Sequence, residues 1–167
     1  LEDIKTIACL GSGVIGSSWA TSFALKGYKV NAYDINQEAL DLAKKRVEDN
    51  LRYLAKNDVI AENEIDTIVG RITFTTDMKT AVADAQFMQE SGPEHYEDKQ
   101  EILKQAEEFV SDTAIFASST SGLLITEIAK YAKHPERCVG AHPYNPPHLI
   151  PLVELTKGEK TDAAYVE

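Results

Sequence analysis

Cysteine and long hydrophobic runs are scarce in this 167-residue chain. The two cysteines, Cys9 and Cys138, each lie in an apolar stretch, and neither has a second cysteine or a histidine at the spacing of a zinc site. They predict two buried, reduced thiols and no metal centre. No apolar run approaches the ~18 residues of a membrane-spanning helix. The first residues also lack the basic flank and apolar core of a signal peptide, so we expect a cytoplasmic protein without membrane contact.

Basic residues are also few relative to acidic ones. The chain has 17 lysines and arginines and 27 aspartates and glutamates, which gives a formal net charge of −10. This balance disfavours nucleic acids and anionic membrane surfaces as partners. The length suffices for one domain, which at this size buries about 70% of the surface of its unfolded chain.

Strand and helix periods alternate along the chain. Residues 4–10 and 28–34 are short apolar runs that predict strands. Between them, large apolar residues recur every four positions over 15–23, which predicts a helix that ends near Gly27. Asn36 is a favoured N-cap for a second helix. The buried face of that helix is predicted to carry Leu40, Ala43, Val47, Leu51 and Leu54.

The rest of the chain continues this alternation. Further strands are predicted at 72–74, 85–89, 114–117 and 137–141, and further helices at 94–110 and 124–132. The inward face of the helix over 94–110 is predicted to carry Ile102, Leu103, Ala106 and Phe109. Such alternation is typical of an α/β fold with a doubly wound, mostly parallel sheet and helices on both faces.

A glycine-rich turn follows the first predicted strand and opens the first predicted helix. It reads Gly11-Ser-Gly-Val-Ile-Gly16 and matches Gly-x-Gly-x-x-Gly in the setting that the motif requires. We expect Gly11 to allow the tight turn, Gly13 to let a pyrophosphate approach the backbone, and Gly16 to allow close packing. The helix N-terminus then presents N–H groups to the phosphates. The candidate cofactor-binding segment also contains Ser12, Val14 and Ile15.

Asp34 ends the second predicted strand, about 20 residues after the glycine turn. A carboxylate at this place can accept hydrogen bonds from both ribose hydroxyls of a dinucleotide. It would repel the 2′-phosphate of NADP, so NAD is the predicted cofactor. A glycine turn without a ligand and a methyltransferase are the alternatives, and the third glycine counts against the methyltransferase.

A histidine and a glutamate suggest acid–base chemistry. His142 lies among prolines that predict an ordered loop over 143–151, and Glu154 follows that loop. A histidine held in one orientation beside a carboxylate suits a general base. Together with a dinucleotide site, the pair predicts hydride transfer coupled to proton transfer. His142 could otherwise be a hydrogen-bonding loop residue, and Glu154 a surface carboxylate.

These motifs together resemble the 3-hydroxyacyl-CoA dehydrogenase family over essentially the whole chain. The similarity includes the glycine turn, Tyr-Asp34, Ile115-Phe-Ala-Ser-Ser-Thr-Ser121, His142-Pro-Tyr-Asn145-Pro and Leu-Val-Glu154. Within the family, Ser119-Thr-Ser-Gly122 and Asn-Pro-Pro-His-Leu-Ile-Pro are more similar to the carnitine and gulonate dehydrogenase (lambda-crystallin) branch. The resemblance implies a Rossmann-type fold, NAD as cofactor and a small-molecule substrate.

The resemblance also implies a role for each site residue. His142 would take the proton from a substrate 3-hydroxyl as hydride passes to the nicotinamide, and Glu154 would fix the histidine tautomer. Ser121 would hydrogen-bond the reacting oxygen. The implied cofactor contacts are Glu94, Lys99 and Asn145. Ser121 and Glu94 could instead serve helix N-termini, and Lys99 could be an exposed helix lysine.

Two positions in the long second helix bear on the substrate. Acyl-CoA members of the family carry a serine and a lysine there toward the CoA phosphates, and Asn50 and Asn57 match those positions here. Asn50 is a weak candidate for substrate binding, but asparagine carries no positive charge. A free 3-hydroxy acid such as carnitine or gulonate is therefore an alternative to an L-3-hydroxyacyl-CoA. The second alternative is a non-catalytic, NAD-binding or crystallin-like structural protein.

The resemblance also bears on domain organisation. The family continues into a helical domain that closes the cleft and drives dimerisation, and residues 161–167 resemble the opening of its next helix. We expect residues 1–167 to form one NAD-binding domain with little or no turnover of its own. For the full-length protein, the resemblance implies a homodimer.

Overall fold

The computed structural model describes residues 3–166, which build one seven-stranded sheet in the order β3-β2-β1-β4-β5-β6-β7. The strands are β1 (Thr6–Leu10), β2 (Lys29–Tyr33), β3 (Ile72–Thr75), β4 (Phe87–Glu90), β5 (Ile115–Ser118), β6 (Cys138–Pro143) and β7 (Val153–Lys157). The first six run parallel, and β7 pairs antiparallel with β6. The chain winds outward from β1 to β3 and then restarts at β4 on the other side of β1. The crevice between β1 and β4 is thus the topological switch point, where open α/β sheets bind ligands.

Helices cover both faces of the sheet. They are α1 (Val14–Leu25), α2 (Gln37–Lys56), α3 (Ile65–Val69), α4 (Met78–Val82), α5 (Tyr96–Ala106) and α6 (Ile125–Ile128). Alternate residues of a strand point to opposite faces. Ile7 and Cys9 accordingly pack with α1, α2 and α3, whereas Ala8 and Leu10 pack with α4, α5 and α6. The predicted Rossmann-type, doubly wound fold is confirmed.

The first half of the chain follows the predicted pattern. Helix α1 ends at Leu25, and Gly27 follows it with φ +95°. The side chain of Asn36 accepts a hydrogen bond from the N–H of Glu38 at 2.8 Å, which caps α2 as predicted. The five apolar positions predicted for the inner face of α2 are all buried.

Helix α5 is shorter than the predicted helix over 94–110. It begins at Tyr96 and ends at Ala106. Phe109, which the spacing placed inward, is 41% exposed, so that prediction is wrong. The chain leaves the helix through a turn in which the N–H groups of Phe109 and Val110 bond to the Ala106 carbonyl. Because the chain is no longer helical beyond Ala106, helical spacing does not predict which of the following residues are buried.

The proline-rich segment also differs from its prediction. His142 was expected in the loop but lies on β6, which continues to Pro143. Pairing with β7 extends β6, and a further bond from Tyr144 N–H to the Leu152 carbonyl continues the ladder. The sequence analysis did not identify β7, α3 or α4, because four or five residues give little periodicity. The helix expected from residue 161 is a 3-10 turn, Ala163–Tyr165.

Both cysteines are buried and unpaired, as predicted. Burial raises the pKa of Cys9, and burial reinforced by the nearby carboxylates of Glu107 and Glu136 raises the pKa of Cys138 to about 12. Both are therefore thiols at neutral pH. Across residues 3–166, no helix combines the length and the hydropathy needed to span a membrane.

Candidate active site

A cleft of about 640 Å³ lies over the carboxyl ends of β1, β2 and β4, at the topological switch point. Its floor is the glycine turn after β1, and its sides come from the segments that follow β2 and β4 and from α5. The lining residues include Gly11, Ser12, Gly13, Asp34, Ser91 and Ile102. The structure therefore brings the predicted phosphate turn and the predicted ribose-binding carboxylate into one cavity.

The glycine turn has backbone geometry that side chains would obstruct. Gly11 has φ +97°, and a Cβ atom at this position would lie 2.7 Å from the backbone of Ser91. A Cβ at Gly16 would lie 1.9 Å from the carbonyl oxygen of Gly11. By contrast, a Cβ at Gly13 would meet nothing within 4 Å. Gly11 and Gly16 thus shape the turn, and the space above Gly13 remains open for a ligand.

Helix α1 starts at this turn with Gly13 as its N-cap. No side chain of the described residues caps it, so the first N–H groups are available to an anion. Val14, which is exposed, and Ile15, which is half-buried, form its first turn. The 12-residue helix is long enough to add its dipole to the attraction.

Asp34 is held in the cleft by the same turn. One oxygen, Oδ2, accepts hydrogen bonds from the backbone N–H of Ser12 at 2.9 Å and from its hydroxyl at 2.8 Å. The other, Oδ1, lies 3.3 Å from the N–H of Asn36. The carboxylate is thereby oriented toward the cleft that it lines. This arrangement fits a carboxylate that receives ribose hydroxyls.

His142 and Glu154 lie directly opposite each other on β6 and β7. The distance from His142 Nδ1 to Glu154 Oε2 is 3.6 Å, longer than a hydrogen bond. Nδ1 is buried and makes no hydrogen bond within residues 3–166. The side chain of this glutamate is 63% exposed. Distances of this length are common between an acid–base histidine and its partner when no substrate is bound.

A polar network connects the cleft to the strand that carries His142. The hydroxyl of Ser91, a cleft residue, lies 2.8 Å from the hydroxyl of Ser119. Ser119 also accepts hydrogen bonds from Gln89 Nε2 at 2.8 Å and from Trp19 Nε1 at 3.2 Å. The same Gln89 amide lies 3.4 Å from the carbonyl of Ala141, the residue before His142. No motif in the sequence predicts this network, because its members come from three strands and a helix that only the fold brings together.

Ser121, Glu94 and Lys99 form one connected group. Glu94 Oε1 accepts a hydrogen bond from the backbone N–H of Ser121 at 3.1 Å and another from the hydroxyl of Thr120. Burial works to raise the pKa of Glu94, but the bonds from Thr120 and Ser121 and the charge of Lys99 outweigh it and lower that pKa. Lys99 is 1% exposed, so it is not the exposed helix lysine that was one alternative.

The two asparagines differ in position. Asn145 is exposed on the segment that follows β6, three residues beyond His142. Asn50 faces α1, where its amide donates to the Thr21 hydroxyl at 3.2 Å. It is not among the residues that line the cleft. The structure therefore gives the weak substrate role of Asn50 no support from contacts.

His148 makes a contact that the sequence analysis did not foresee. Its Nδ1 lies 2.6 Å from the hydroxyl of Ser18 on α1, and its backbone N–H donates to the same oxygen at 3.2 Å. The proline-rich segment is thereby tied to the helix that follows the glycine turn. Burial lowers the pKa of His148.

We expect this burial to make the stability of the domain depend on pH. Because the folded-state pKa of His148 lies below its ordinary value near 6.5, the unfolded chain binds more protons as the pH falls through that value. The contribution of the neutral, buried His148 to the free energy of unfolding is complete above about pH 7, and it is lost as the pH falls below that value. Urea unfolding at pH 7.5 and 5.5 measures it. His148→Gln should lose less stability over this interval than the parent and than the exposed control His95→Gln; an equal loss in all three contradicts the assignment.

Comparison with known proteins identifies the family. A family model described as "3-hydroxyacyl-CoA dehydrogenase, NAD binding domain" matches residues 6–167. The chain belongs to the 3-hydroxyacyl-CoA dehydrogenase family. It corresponds to the NAD-binding domain, which confirms the cofactor predicted from Asp34 and the glycine turn.

The relatives also confirm the predicted carnitine dehydrogenase branch. The chain is 39% identical to an L-carnitine dehydrogenase of Streptomyces coelicolor over 165 residues, which cover 99% of this chain and 51% of that protein. It is 39% identical over 167 residues to the enzyme of that name from a Pseudomonas species, covering 100% and 51%. The chain thus spans about half the length of these curated relatives.

Solved structures show the same fold. The crystal structure of 3-hydroxybutyryl-CoA dehydrogenase from Escherichia coli matches with a TM-score of 0.93 and 30% identity, over 99% of this chain and 35% of that one. (S)-3-hydroxybutyryl-CoA dehydrogenase from Ralstonia eutropha matches with a TM-score of 0.93 and 29% identity, over 98% and 57%. The chain therefore shares its fold with solved enzymes named for CoA substrates, whereas the curated relatives above are named for carnitine.

Proposed function

We propose that residues 1–167 form the NAD-binding domain of a dehydrogenase that oxidises the 3-hydroxyl of a free hydroxy acid such as carnitine. The observation that carries this proposal is the pairing of His142 with Glu154 at the sheet edge that also holds the dinucleotide cleft. A histidine that faces a carboxylate with one ring nitrogen can use its other ring nitrogen for reversible proton transfer.

In this mechanism the protein supplies positioning and a base. When bound, NAD supplies the hydride acceptor. His142 takes the proton of the substrate hydroxyl, and Glu154 moves onto Nδ1, fixes the tautomer and stabilises the imidazolium. Ser121 hydrogen-bonds the reacting oxygen, since its N–H is engaged by Glu94 while its hydroxyl lies on an exposed turn. In the reverse reaction His142 returns the proton.

The cofactor is held along the cleft. The segment from Gly11 to Gly16, including Ser12, Val14 and Ile15, would bind the pyrophosphate, for which the open space above Gly13 leaves room. Asp34 receives the ribose hydroxyls and disfavours a 2′-phosphate. On the family resemblance, Asn145 would lie beside the nicotinamide and Glu94 would contact the cofactor. Lys99 contributes from beneath through Glu94, since its own side chain is buried.

A free hydroxy acid is favoured over a CoA thioester by two observations. The 39% identical relatives are named L-carnitine dehydrogenases. In addition, Asn50 and Asn57 are uncharged, so neither offers a positive charge to CoA phosphates. Their amides donate instead to the Thr21 hydroxyl and to the Tyr53 carbonyl. We propose a homodimer for the full-length protein on the family resemblance alone.

A substrate panel on the full-length protein tests this function. Carnitine, gulonate and 3-hydroxybutyryl-CoA are each supplied with NAD, and NADH formation is followed by absorbance. We expect turnover with a free acid. Turnover with the thioester alone would instead support the 3-hydroxyacyl-CoA alternative, and NAD binding without turnover on any of them would support a non-catalytic protein.

Replacing Asp34 tests the cofactor site in the 167-residue chain itself. We expect Asp34→Ala to weaken NAD binding about tenfold to a hundredfold, because a charged acceptor is worth roughly 1.5–3 kcal/mol. Titration calorimetry measures the Kd. Asp41→Ala, which removes an exposed carboxylate from α2, is the matched control and should leave it unchanged. If Asp34→Ala also binds NAD with parental affinity, the ribose role is wrong.

A further inference from the structure

A glutamate and a lysine are paired in the interior, beneath the candidate active site. Glu90 ends β4 with 0% of its side chain exposed, and Lys99 on α5 has 1% exposed. The ammonium nitrogen lies 2.9 Å from one carboxylate oxygen and 3.1 Å from the other. In every other ion pair among residues 3–166, at least one partner is one-fifth exposed or more.

The pair is fully satisfied by neighbouring groups. Glu90 also accepts hydrogen bonds from the Gly92 N–H and from the Ser118 hydroxyl at the end of β5. Lys99 reaches the Gly92 carbonyl at 3.4 Å and Glu94 Oε2 at 3.3 Å. Its three hydrogens are thus directed to protein acceptors.

Stability alone gives a weak account of such a pair. Removing two charges from water costs several kcal/mol per ion, and well-packed apolar residues in place of a buried pair are often neutral or stabilising. Orientation is a better account, because the pair joins β4, β5 and α5 at one point. From this point the contacts lead outward to Glu94, which is 45% exposed, and then to the Thr120 hydroxyl and the Ser121 N–H.

We propose that Glu90 is a positioning residue, which acts through Lys99 to hold Glu94 against the turn at Thr120 and Ser121. The pair fixes Glu94 Oε2, so Oε1 is directed at that turn. This places Ser121 where it can meet the reacting oxygen. The catalytic role of Ser121 in this inference rests on the proposed function. The contacts that link Glu90 to Ser121 are independent of that function.

The decisive variants separate positioning from support of the fold. Glu90→Gln leaves the buried Lys99 with only the half-exposed Glu94 as a counter-charge, and Lys99→Met leaves the buried Glu90 with none, so both should destabilise the protein. The double variant removes both charges, so it should recover stability relative to either single variant. If Glu90 positions Ser121, kcat of the full-length double variant stays about tenfold to a hundredfold low, the scale of a small misplacement at a reacting centre. The Kd for NAD should change less than kcat, because Asp34 and the glycine turn are untouched.

The matched control is a second glutamate–lysine pair, which is exposed. Glu127 and Lys130 lie 3.5 Å apart with 45% and 53% of their side chains exposed. The double variant Glu127→Gln, Lys130→Met should change neither kcat nor stability appreciably.

Nuclear magnetic resonance on the 167-residue chain gives a readout that needs no turnover. In the Glu90→Gln, Lys99→Met variant, we expect the Ser121 amide resonance to shift and the pKa of Glu94 to rise from its lowered value. These signals report the linkage even if the substrate proposal fails. If the double variant does not fold, Ser118→Ala removes one hydrogen bond that orients Glu90 and should shift the same amide. Recovered stability with parental kcat, or an unmoved Ser121 amide in a folded variant, overturns the proposal.

Discussion

We expect His142→Ala in the full-length protein to lower kcat by about a hundredfold or more while NAD binds with near-parental affinity. The magnitude is that of lost general-base catalysis, roughly 10²–10⁴-fold. Binding should survive because His142 is not among the residues that line the dinucleotide cleft. Stopped-flow measurement of NADH formation gives the rate, and calorimetry gives the affinity.

The control for this variant is another histidine of equal exposure. His134 and His142 both have 34% of their side chains exposed and both lie near a carboxylate. His134 sits beside Asp112 and Glu136, away from the cleft residues. His134→Ala should retain turnover. Near-normal kcat in His142→Ala, or equal losses in the two variants, would reject His142 as the base.

We expect replacement of Glu154 to lower kcat less than replacement of His142. We expect Glu154→Gln to retain an oriented histidine but to lose the charge that stabilises the imidazolium. Its kcat should therefore fall between those of the parent and His142→Ala. The pairing across β6 and β7 makes this order a direct test of the mechanism.

The second large effect is expected at the glycine turn, where two alanine substitutions should fail in different ways. In Gly16→Ala the new methyl group lies 1.9 Å from the Gly11 carbonyl oxygen, so α1 or the turn must move. Overpacking of this kind costs about 1–3 kcal/mol or more. A loss of that size lowers Tm by several degrees, at roughly 2–4 °C per kcal/mol for this chain length. We expect NAD binding to disappear with the turn geometry.

Gly13→Ala is the matched substitution. Its methyl group meets no protein atom within 4 Å, so stability should stay within about 0.5 kcal/mol of the parent. NAD affinity should nevertheless fall, because the methyl group occupies the space above the turn that a pyrophosphate needs. Thermal unfolding and calorimetry on the 167-residue chain give both quantities. A Gly13→Ala variant that binds NAD normally would place the phosphates elsewhere.

The sequence alone determined the fold class and the cofactor. Apolar residues at helix spacing predicted α1 and α2, because a helix long enough to show its period has one face in the core. The glycine turn and Asp34 predicted NAD, because the chemistry depends on residues that are local to β1 and β2. The apolar spacing and the glycine turn each lie within a short stretch of the sequence, so they can be recognised without the fold. Family motifs added the pairing of His142 with Glu154, but not its geometry.

Only the tertiary structure decided the contacts between distant segments. It placed His142 on a strand opposite Glu154, because β7 pairs with β6 and a five-residue strand carries little signal of its own. It also buried Lys99, which the sequence allowed to be exposed, since its partner Glu90 ends another element. Whether a charged side chain is solvated or buried depends on what the fold brings to it, and that information does not reside in its neighbours along the chain.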